Sequence, residues 1–177
     1  MTRLLVFTFV LILSVAPKIS WAADDVYQSP ETFITESFGG KAPKARTLTP
    51  DSALTTKVKK IMGDHYRLPS VKYWTDGQRT AWILEDIGKY KPITTGYLVN
   101  TDNELERVKV LVYRESHGWE VKEKFFTRQF KGAGLKREKK LDKRIDGIAG
   151  ATLSVHALKT MGALALTLHK AVTEGGS

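Results

Sequence analysis

A short segment near the end of the chain combines small residues with a hydroxyl just ahead of a predicted helix. It reads Ile-Asp-Gly-Ile-Ala-Gly-Ala-Thr-Leu-Ser over residues 145–154. Gly150 and Ala151 let a ligand approach the backbone closely, and the start of a helix offers unpaired N–H groups and the positive end of the helix dipole. Thr152 places its hydroxyl at the same spot. The segment therefore predicts a binding site for a phosphate group.

A purely structural interpretation of this segment is also open. A threonine just before a helix is a common N-cap, so Thr152 would then only accept a hydrogen bond from the first helical turn. The known phosphate-binding patterns do not decide the question. No lysine follows the glycines, which excludes a P-loop, and the spacing does not match the GxGxxG dinucleotide pattern.

Other kinds of chemistry are restricted by composition. The 177 residues contain no cysteine, which excludes disulfides, zinc-thiolate sites, iron–sulfur clusters, CxxCH haem attachment and a cysteine nucleophile. The histidines lack the spacing of metal ligands, so no metal site is predicted; they are His65, His117, His156 and His169. Any redox chemistry would need a cofactor held in another way.

Residues 146–154 resemble the flavinylation motif, roughly D-G-x-S/T-G-A-T-x-S, of the FMN-binding domain family. That family includes flavin-carrying subunits of the sodium-pumping NADH:quinone reductase and of the Rnf complex, and small exported FMN-binding proteins. Three upstream blocks are similar to exported members in order and spacing, namely residues 91–94, 113–116 and 129–130. The chain departs from the motif at Ala149, where the family usually has Ser or Thr, and at Val155, which replaces a frequent second Ser.

The resemblance implies FMN joined to Thr152 through a phosphoester. It also implies a maturation partner, an FAD-dependent flavin transferase that uses Mg²⁺, and a role for Asp146 in the modification. Residues 114–119 are similar to the E-T-P-G loop that lies near the flavin in the family. The cofactor-binding residues expected in this way are Thr152, Ala151, Gly150, Asp146, Ser154, Leu153, Glu115, Gly118 and Trp119.

Two of these residues have plainer alternatives. Trp119 could stack on the flavin ring or cap the edge of the sheet. Glu115 could serve the flavin site or be a solvated carboxylate at the end of a strand. The sequence leaves both alternatives open.

The resemblance favours an exported electron-transfer flavoprotein with no catalytic residues of its own, more an electron carrier than an enzyme. A small flavin-dependent reductase and a non-redox binding module that has lost its flavin remain alternatives. Membrane or cytochrome redox partners are expected, and nucleic acid is not. A basic run at residues 131–144 is either a solvated surface or a docking face for an acidic partner, whose attraction would fade with salt.

The start of the sequence predicts export. Arg3 precedes an apolar run at residues 4–16, and the small-residue pattern Ser20-Trp21-Ala22 follows, as in a signal peptide over residues 1–22. The apolar run is short for a bilayer-spanning helix, although an uncleaved N-terminal anchor remains open. A periplasmic or otherwise exported protein, soluble or anchored at its N-terminus, is expected.

The remaining patterns predict an α+β fold, with an antiparallel sheet packed against a long C-terminal helix in a single domain. After the signal peptide we expect a loosely packed polar arm (23–48), an N-terminal helix and hairpin (49–87) and the FMN-binding domain (88–173). Asp76-Gly77 and Thr101-Asp102-Asn103 are turn sequences, each flanked by two strands. Four strands in two hairpins result, with Val108, Val110 and Val112 expected on one face.

The helices are predicted from capping and spacing. A helix should begin at Thr49-Pro50-Asp51 and end at Gly63, and a short helix should span residues 121–130. The long C-terminal helix is expected over residues 153–172. Its apolar stripe must lie against the sheet and comprises Leu158, Met161, Ala165, Leu168 and Val172.

Overall fold

The computed structural model describes residues 25–175, so the predicted signal peptide lies outside the described residues. Within that range the main sheet has six antiparallel strands, which are β1 (Asp25–Val26), β2 (Arg46–Leu48), β3 (Val71–Thr75), β4 (Thr80–Ile87), β5 (Pro92–Val99) and β6 (Leu105–Tyr113). Their order across the sheet is β1-β6-β5-β4-β3-β2. A separate two-stranded hairpin consists of β7 (Leu135–Lys136) and β8 (Lys140–Leu141).

The helices are α1 (Pro30–Ser37), α2 (Ser52–Met62), α3 (Lys124–Thr127) and α4 (Thr152–Thr173). The predicted α+β class, the two central hairpins and the long C-terminal helix are confirmed. Helix α2 is capped by Asp51, whose carboxylate accepts from the Leu54 N–H at 2.7 Å. The predicted cap was Thr49, so the helix begins two residues later than predicted. Gly63 ends it as predicted. Within residues 25–175 no helix is both long and apolar enough to cross a bilayer.

Helix α4 packs on one face of the sheet, against β4 and β5, and also contacts α2. Its predicted stripe is buried, with Val172 partly exposed at the end. Gly162 allows the close approach, because a Cβ there would lie 3.2 Å from Leu105 Cδ1. Tyr97 of β5 donates its hydroxyl hydrogen bond to the Leu158 carbonyl at 2.9 Å. These contacts fix the first half of α4 relative to the sheet.

The expectation of a loosely packed arm at residues 23–48 is wrong for the described part. Ser29 caps α1 by accepting from the Thr32 N–H at 3.1 Å, and Pro30 occupies the first helical position. Phe33 and Ile34 are buried, at 0% and 2% exposure, on the sheet face opposite α4. Gly96 leaves the notch that the Phe33 ring occupies, since a Cβ on Gly96 would lie 2.7 Å from the ring.

A β-bulge in β6 changes which side chains face α4. Thr94 pairs with Val112 and Thr95 pairs with Val110, so Leu111 is the extra residue. Val112 consequently belongs to the cluster under α1, and the prediction that it shares a face with Val108 and Val110 is wrong. The same bulge returns Tyr113 to the α4 face.

The segment between β6 and α4 is less regular than predicted. Instead of one helix over residues 121–130, it contains two short 3-10 turns, Trp119–Lys122 and Arg128–Phe130, on either side of α3. Phe126 and Phe130 anchor this segment in the core, with their rings in an edge-to-face contact. The basic run at 131–144 contains the β7–β8 hairpin.

Candidate functional site

The first turn of α4 has no side-chain cap. Its N-cap position is occupied by Ala151, which has no side-chain oxygen, and Thr152 is the first helical residue. The helical backbone ladder begins with the Val155 N–H bonded to the Ala151 carbonyl at 2.9 Å. The N–H groups of Thr152, Leu153 and Ser154 therefore precede the ladder and remain available to an anion. The structural alternative, with Thr152 as the N-cap, is wrong.

Thr152 itself is exposed, and its hydroxyl forms no hydrogen bond with any residue of the described range. The preceding turn is closed by the Ala151 N–H, which donates to the Ile148 carbonyl at 3.0 Å. Gly150 lies in this turn with φ +79°, a conformation that favours glycine. A hydroxyl without a hydrogen bond to residues 25–175 therefore lies at the N-terminal end of α4, directly after a turn that is closed by a backbone hydrogen bond.

Asp146 is held by its backbone rather than by its side chain. Its N–H donates to Gln129 Oε1 at 2.8 Å, which ties the loop before α4 to the segment after β6. Its carboxylate is exposed and lies 3.2 Å from the Arg144 Nε. Asp146 does not line the cleft described below.

Tyr113 links the loop after β6 to the start of α4. Its hydroxyl donates to the His117 carbonyl at 2.5 Å and lies 3.1 Å from the Ser154 hydroxyl. Burial raises the pKa of Tyr113, and the Ser154 hydrogen bond opposes that rise. The phenol is therefore neutral at physiological pH and serves as a fixed hydrogen-bonding group.

Glu115 holds the turn between β4 and β5. Its Oε1 accepts from the backbone N–H groups of Lys89, Tyr90 (2.6 Å) and Lys91 (3.0 Å). Burial raises the pKa of Glu115, but these three donors and the Lys91 charge outweigh burial, and the pKa is lowered overall. Glu115 was expected either to serve the flavin site directly or to be a solvated carboxylate. Neither alternative includes this contact, because the N–H donors lie 24 to 26 residues earlier in the chain.

Three segments therefore meet at one point. A Cβ on Gly88, the first residue of the β4–β5 turn, would lie 2.9 Å from Glu115 Oε1 and 3.2 Å from Ser154 Oγ. Gly118, at φ +80°, packs against Ala151. The β4–β5 turn, the loop after β6 and the first turn of α4 enclose a cleft of about 520 Å³. It is lined by Lys89, Tyr90, Glu115, Ser116, His117, Gly150, Ala151, Thr152, Leu153 and Ser154.

Two apolar side chains in this cleft are unusually exposed. Tyr90 is 74% exposed and Leu153 is 49% exposed, although both line the cleft. Exposed large apolar groups beside polar hydrogen-bonding groups are typical of a ligand-binding surface. Lys89 adds a positive charge, with its Nζ 4.8 Å from the Tyr90 ring centroid.

Trp119 lies in a neighbouring cleft. That second cleft, of about 340 Å³, shares Glu115 and Ser116 with the first, and Trp119 is 50% exposed within it. Lys122 lies over Tyr27, with its Nζ 3.9 Å from the ring centroid, and 5.3 Å from the Trp119 ring. Trp119 does not line the cleft that contains Thr152.

Of the nine expected cofactor-binding residues, six line the Thr152 cleft: Thr152, Ala151, Gly150, Ser154, Leu153 and Glu115. Gly118 supports the cleft from behind, while Asp146 and Trp119 lie outside it. Sequence reasoning missed Lys89 and Tyr90 as lining residues, although the block at 91–94 adjoins them. Ser116 and His117 belong to the loop at 114–119 that was expected near the flavin, but they were not among the nine expected residues.

The cleft suits a phosphorylated aromatic ligand. Its volume lies in the range of small-molecule sites, about 300–1,000 Å³. Free N–H groups and Lys89 suit a phosphate, and Tyr90 and Leu153 offer apolar surface to a planar ring. The chemistry of the cleft, and not the α+β fold class alone, therefore indicates a binding site for a phosphorylated cofactor.

Comparison with known families identifies the cofactor. Residues 88–167 match the family model for the FMN-binding domain. The chain therefore contains a domain of the FMN-binding domain family and is a flavin-binding protein. The matched range begins at Gly88 and includes all the residues that line the Thr152 cleft. No curated protein matches the chain.

Proposed function

We propose that the protein is an exported electron carrier whose FMN is bonded through its phosphate to Thr152 Oγ1. The observation that carries the proposal is the exposed, unbonded hydroxyl of Thr152 in a 520 Å³ cleft, beside the free N–H groups of the first turn of α4. A phosphoester at this oxygen would place phosphate oxygens next to those donors. The same bond leaves the flavin ring unmodified.

Attachment requires a flavin transferase as partner, with FAD as donor. The Thr152 oxygen attacks the phosphorus on the FMN side of the pyrophosphate. One O–P bond forms, the P–O bond to the AMP phosphate breaks, AMP leaves with the electron pair, and the hydroxyl proton passes to solvent. No oxidant or reductant is consumed. The exposure of Thr152 supports this step, since a second protein must reach the hydroxyl.

When bound, FMN supplies one- and two-electron redox chemistry that no side chain of this cysteine-free chain provides. Tyr90 and Leu153 offer an apolar surface to a ring, Lys89 offers a positive charge, and the His117 imidazole offers a hydrogen-bonding group at the cleft wall. A covalent link suits an exported carrier, because a site that is partly empty loses throughput in proportion. The predicted signal peptide at residues 1–22 supports export.

Intact mass spectrometry of protein made together with a flavin transferase tests the proposal. We expect an adduct of about 438 Da, the mass of FMN less one water, located on Thr152. Thr152→Val should abolish the adduct, and no yellow colour should remain with the denatured protein. Thr160→Val, a matched change two turns along α4, should leave the adduct in place.

The redox part needs a separate measurement. The flavinylated protein should be bleached by dithionite and recover its colour with a one-electron acceptor, without turnover of a small substrate such as fumarate. Fumarate turnover would instead indicate a flavin-dependent reductase. An unmodified mass despite an active transferase would indicate a binding module without flavin.

A further inference from the structure

A second concave surface lies beside α4 and is strongly basic. We call it the basic groove; its volume is about 730 Å³. Its charged and polar lining residues are Lys136, Arg137, Lys139, Lys140, Asp142, Lys143, Arg144, His156, Lys159 and Thr160. Seven of these are Lys or Arg, and Asp142 is the only acid among the lining residues. Asp142 is already engaged, because its Oδ1 accepts from the Gly134 N–H at 2.9 Å.

Most of these cations have no internal partner. Lys143 donates to the Lys131 carbonyl at 2.7 Å, and Arg144 pairs with Asp146. The remaining five form no ion pair with any residue between 25 and 175; they are Lys136, Arg137, Lys139, Lys140 and Lys159. Their charge is available to an external anionic group.

The β7–β8 hairpin, which carries four of these five cations, breaks two local rules. Lys136 and Lys140 are directly opposed across β7 and β8, where like charges destabilise a strand pair. Arg137 and Glu138 lie at the turn with φ +53° and +51°, a left-handed conformation that normally selects Gly or Asn. Both features cost stability without an internal gain. Such violations indicate selection for something other than folding.

The basic groove begins one helical turn from Thr152. His156 follows Thr152 by four residues and Lys159 follows by seven, so all three lie on one face of α4. Four residues correspond to a rise of about 6 Å along the helix axis. A molecule seated in the groove therefore lies next to the proposed flavin attachment point.

We propose that the basic groove docks an acidic surface of the protein that exchanges electrons with the flavin. The inference rests on the proposed electron-carrier function. The groove is concave, and five of its seven cations form no ion pair or hydrogen bond within residues 25–175, which suits a complementary protein surface. A membrane is the poorer fit, because the large apolar side chains that are exposed within residues 25–175 lie outside the groove; they are Val26, Ile87, Tyr90, Trp119, Phe125 and Leu153. Attraction between the surfaces speeds encounter and weakens with salt.

The binding test does not require flavin. The wild type and Thr152→Val, which cannot be flavinylated at residue 152, are each titrated with polyglutamate that carries a fluorescent label. The fluorescence anisotropy of the label measures binding. The groove variant Lys136→Gln/Lys140→Gln/Lys159→Gln is compared with Lys41→Gln/Lys44→Gln/Lys57→Gln, which removes the same charge elsewhere. We expect the groove variant to bind at least about tenfold more weakly and the control to bind within about twofold of the wild type. Equal weakening in both variants would overturn the assignment.

The kinetic test uses the flavinylated protein. Reoxidation of the reduced protein by a small acidic c-type cytochrome is followed by stopped flow and compared with reoxidation by a basic one. We expect the acidic cytochrome to react at least about tenfold faster at low salt, and the groove variant to lose that advantage. Binding to phosphatidylglycerol vesicles that depends on the groove and persists at about 0.15 M salt, where polyglutamate binding is lost, would overturn the protein-partner assignment in favour of a membrane. Failure of flavinylation would leave the polyglutamate result intact, so the two proposals fail separately.

Discussion

Gly118 lies so close to Ala151 that a Cβ on Gly118 would be 2.6 Å from the Ala151 Cβ. The same added atom would lie 3.0 Å from the Tyr113 hydroxyl. Gly118 also has φ +80°, where side chains are strained. The loop after β6 is thereby packed against the residue that precedes Thr152, so this contact sets the distance between two walls of the cleft.

Gly118→Ala should consequently destabilise the fold by about 1–3 kcal/mol, because the methyl group meets Ala151 and the backbone is strained. The free energy of unfolding in urea, followed by tryptophan fluorescence, measures the loss. Gly147→Ala is the matched control, since a Cβ there meets nothing within 4 Å and no positive φ is involved. Equal stability of Gly118→Ala and Gly147→Ala would contradict the tight contact.

The stabilisation of the β4–β5 turn by Glu115 should depend on pH, because the ionised carboxylate accepts the hydrogen bonds. The pKa of Glu115 is lowered below the ordinary 4.5, so the stabilisation is present above that value and is lost as the pH falls through the folded-state pKa. We expect the wild type to be more stable than Glu115→Gln near neutral pH, and the difference to shrink progressively below about pH 4.5. Urea unfolding of both proteins at a series of pH values measures it.

The control for this pH series is Glu120→Gln, since the Glu120 side chain forms no hydrogen bond with residues of the described range. The difference in the free energy of unfolding between the wild type and Glu120→Gln should not shrink below about pH 4.5 in the way expected for Glu115→Gln. A difference between wild type and Glu115→Gln that stayed constant down to low pH would show that the carboxylate charge does not hold the turn.

His169 should make the fold sensitive to acid in a second way. Burial lowers its pKa, with Glu174 opposing, and its Nδ1 lies 2.8 Å from the Thr80 hydroxyl. Thr80 also accepts from the Trp82 indole N–H at 2.8 Å, so its own proton is best donated to a neutral imidazole. Because the unfolded chain binds a proton more readily, stability should rise with pH up to about 6.5 and then level off.

Urea unfolding between about pH 5 and 8 tests the behaviour of His169. The slope should flatten in His169→Gln, because the titrating group is gone, and should persist in His65→Gln, whose ring is exposed. A wild-type slope that survives in His169→Gln would assign the pH dependence to another group.

Local sequence patterns predicted the parts of the fold whose causes are local. The Asp76-Gly77 turn, the hairpin around Thr101-Asp102-Asn103, and the apolar stripe of α4 each depend on residues close in sequence. The bulge at Leu111 could not be foreseen, because it depends on the pairing of β6 with β5 and not on either strand alone. It moves Val112 to the α1 face and brings Tyr113 toward Ser154.

The candidate site divides in the same way. Thr152 and its neighbours are contiguous, so the motif that contains them was visible in the sequence. Lys89 and Tyr90 reach the cleft because Glu115 binds the backbone of their turn from about 25 residues away. No periodicity or propensity encodes such a contact, and only the three-dimensional fold reveals it.

The segment before α2 offers the last test, because it was expected to be loose and instead closes one face of the sheet. Phe33 is fully buried in the notch at Gly96, so Phe33→Ala leaves a cavity that neighbouring backbone cannot fill. The free energy of unfolding should fall by about 3–5 kcal/mol, whereas Phe125→Ala, at a ring 52% exposed, should change it by about 0.5 kcal/mol or less. Similar small losses in both variants would restore the loose-arm interpretation. A large loss for Phe33→Ala alone would show that the folded unit extends beyond the FMN-binding match at residues 88–167 and includes α1.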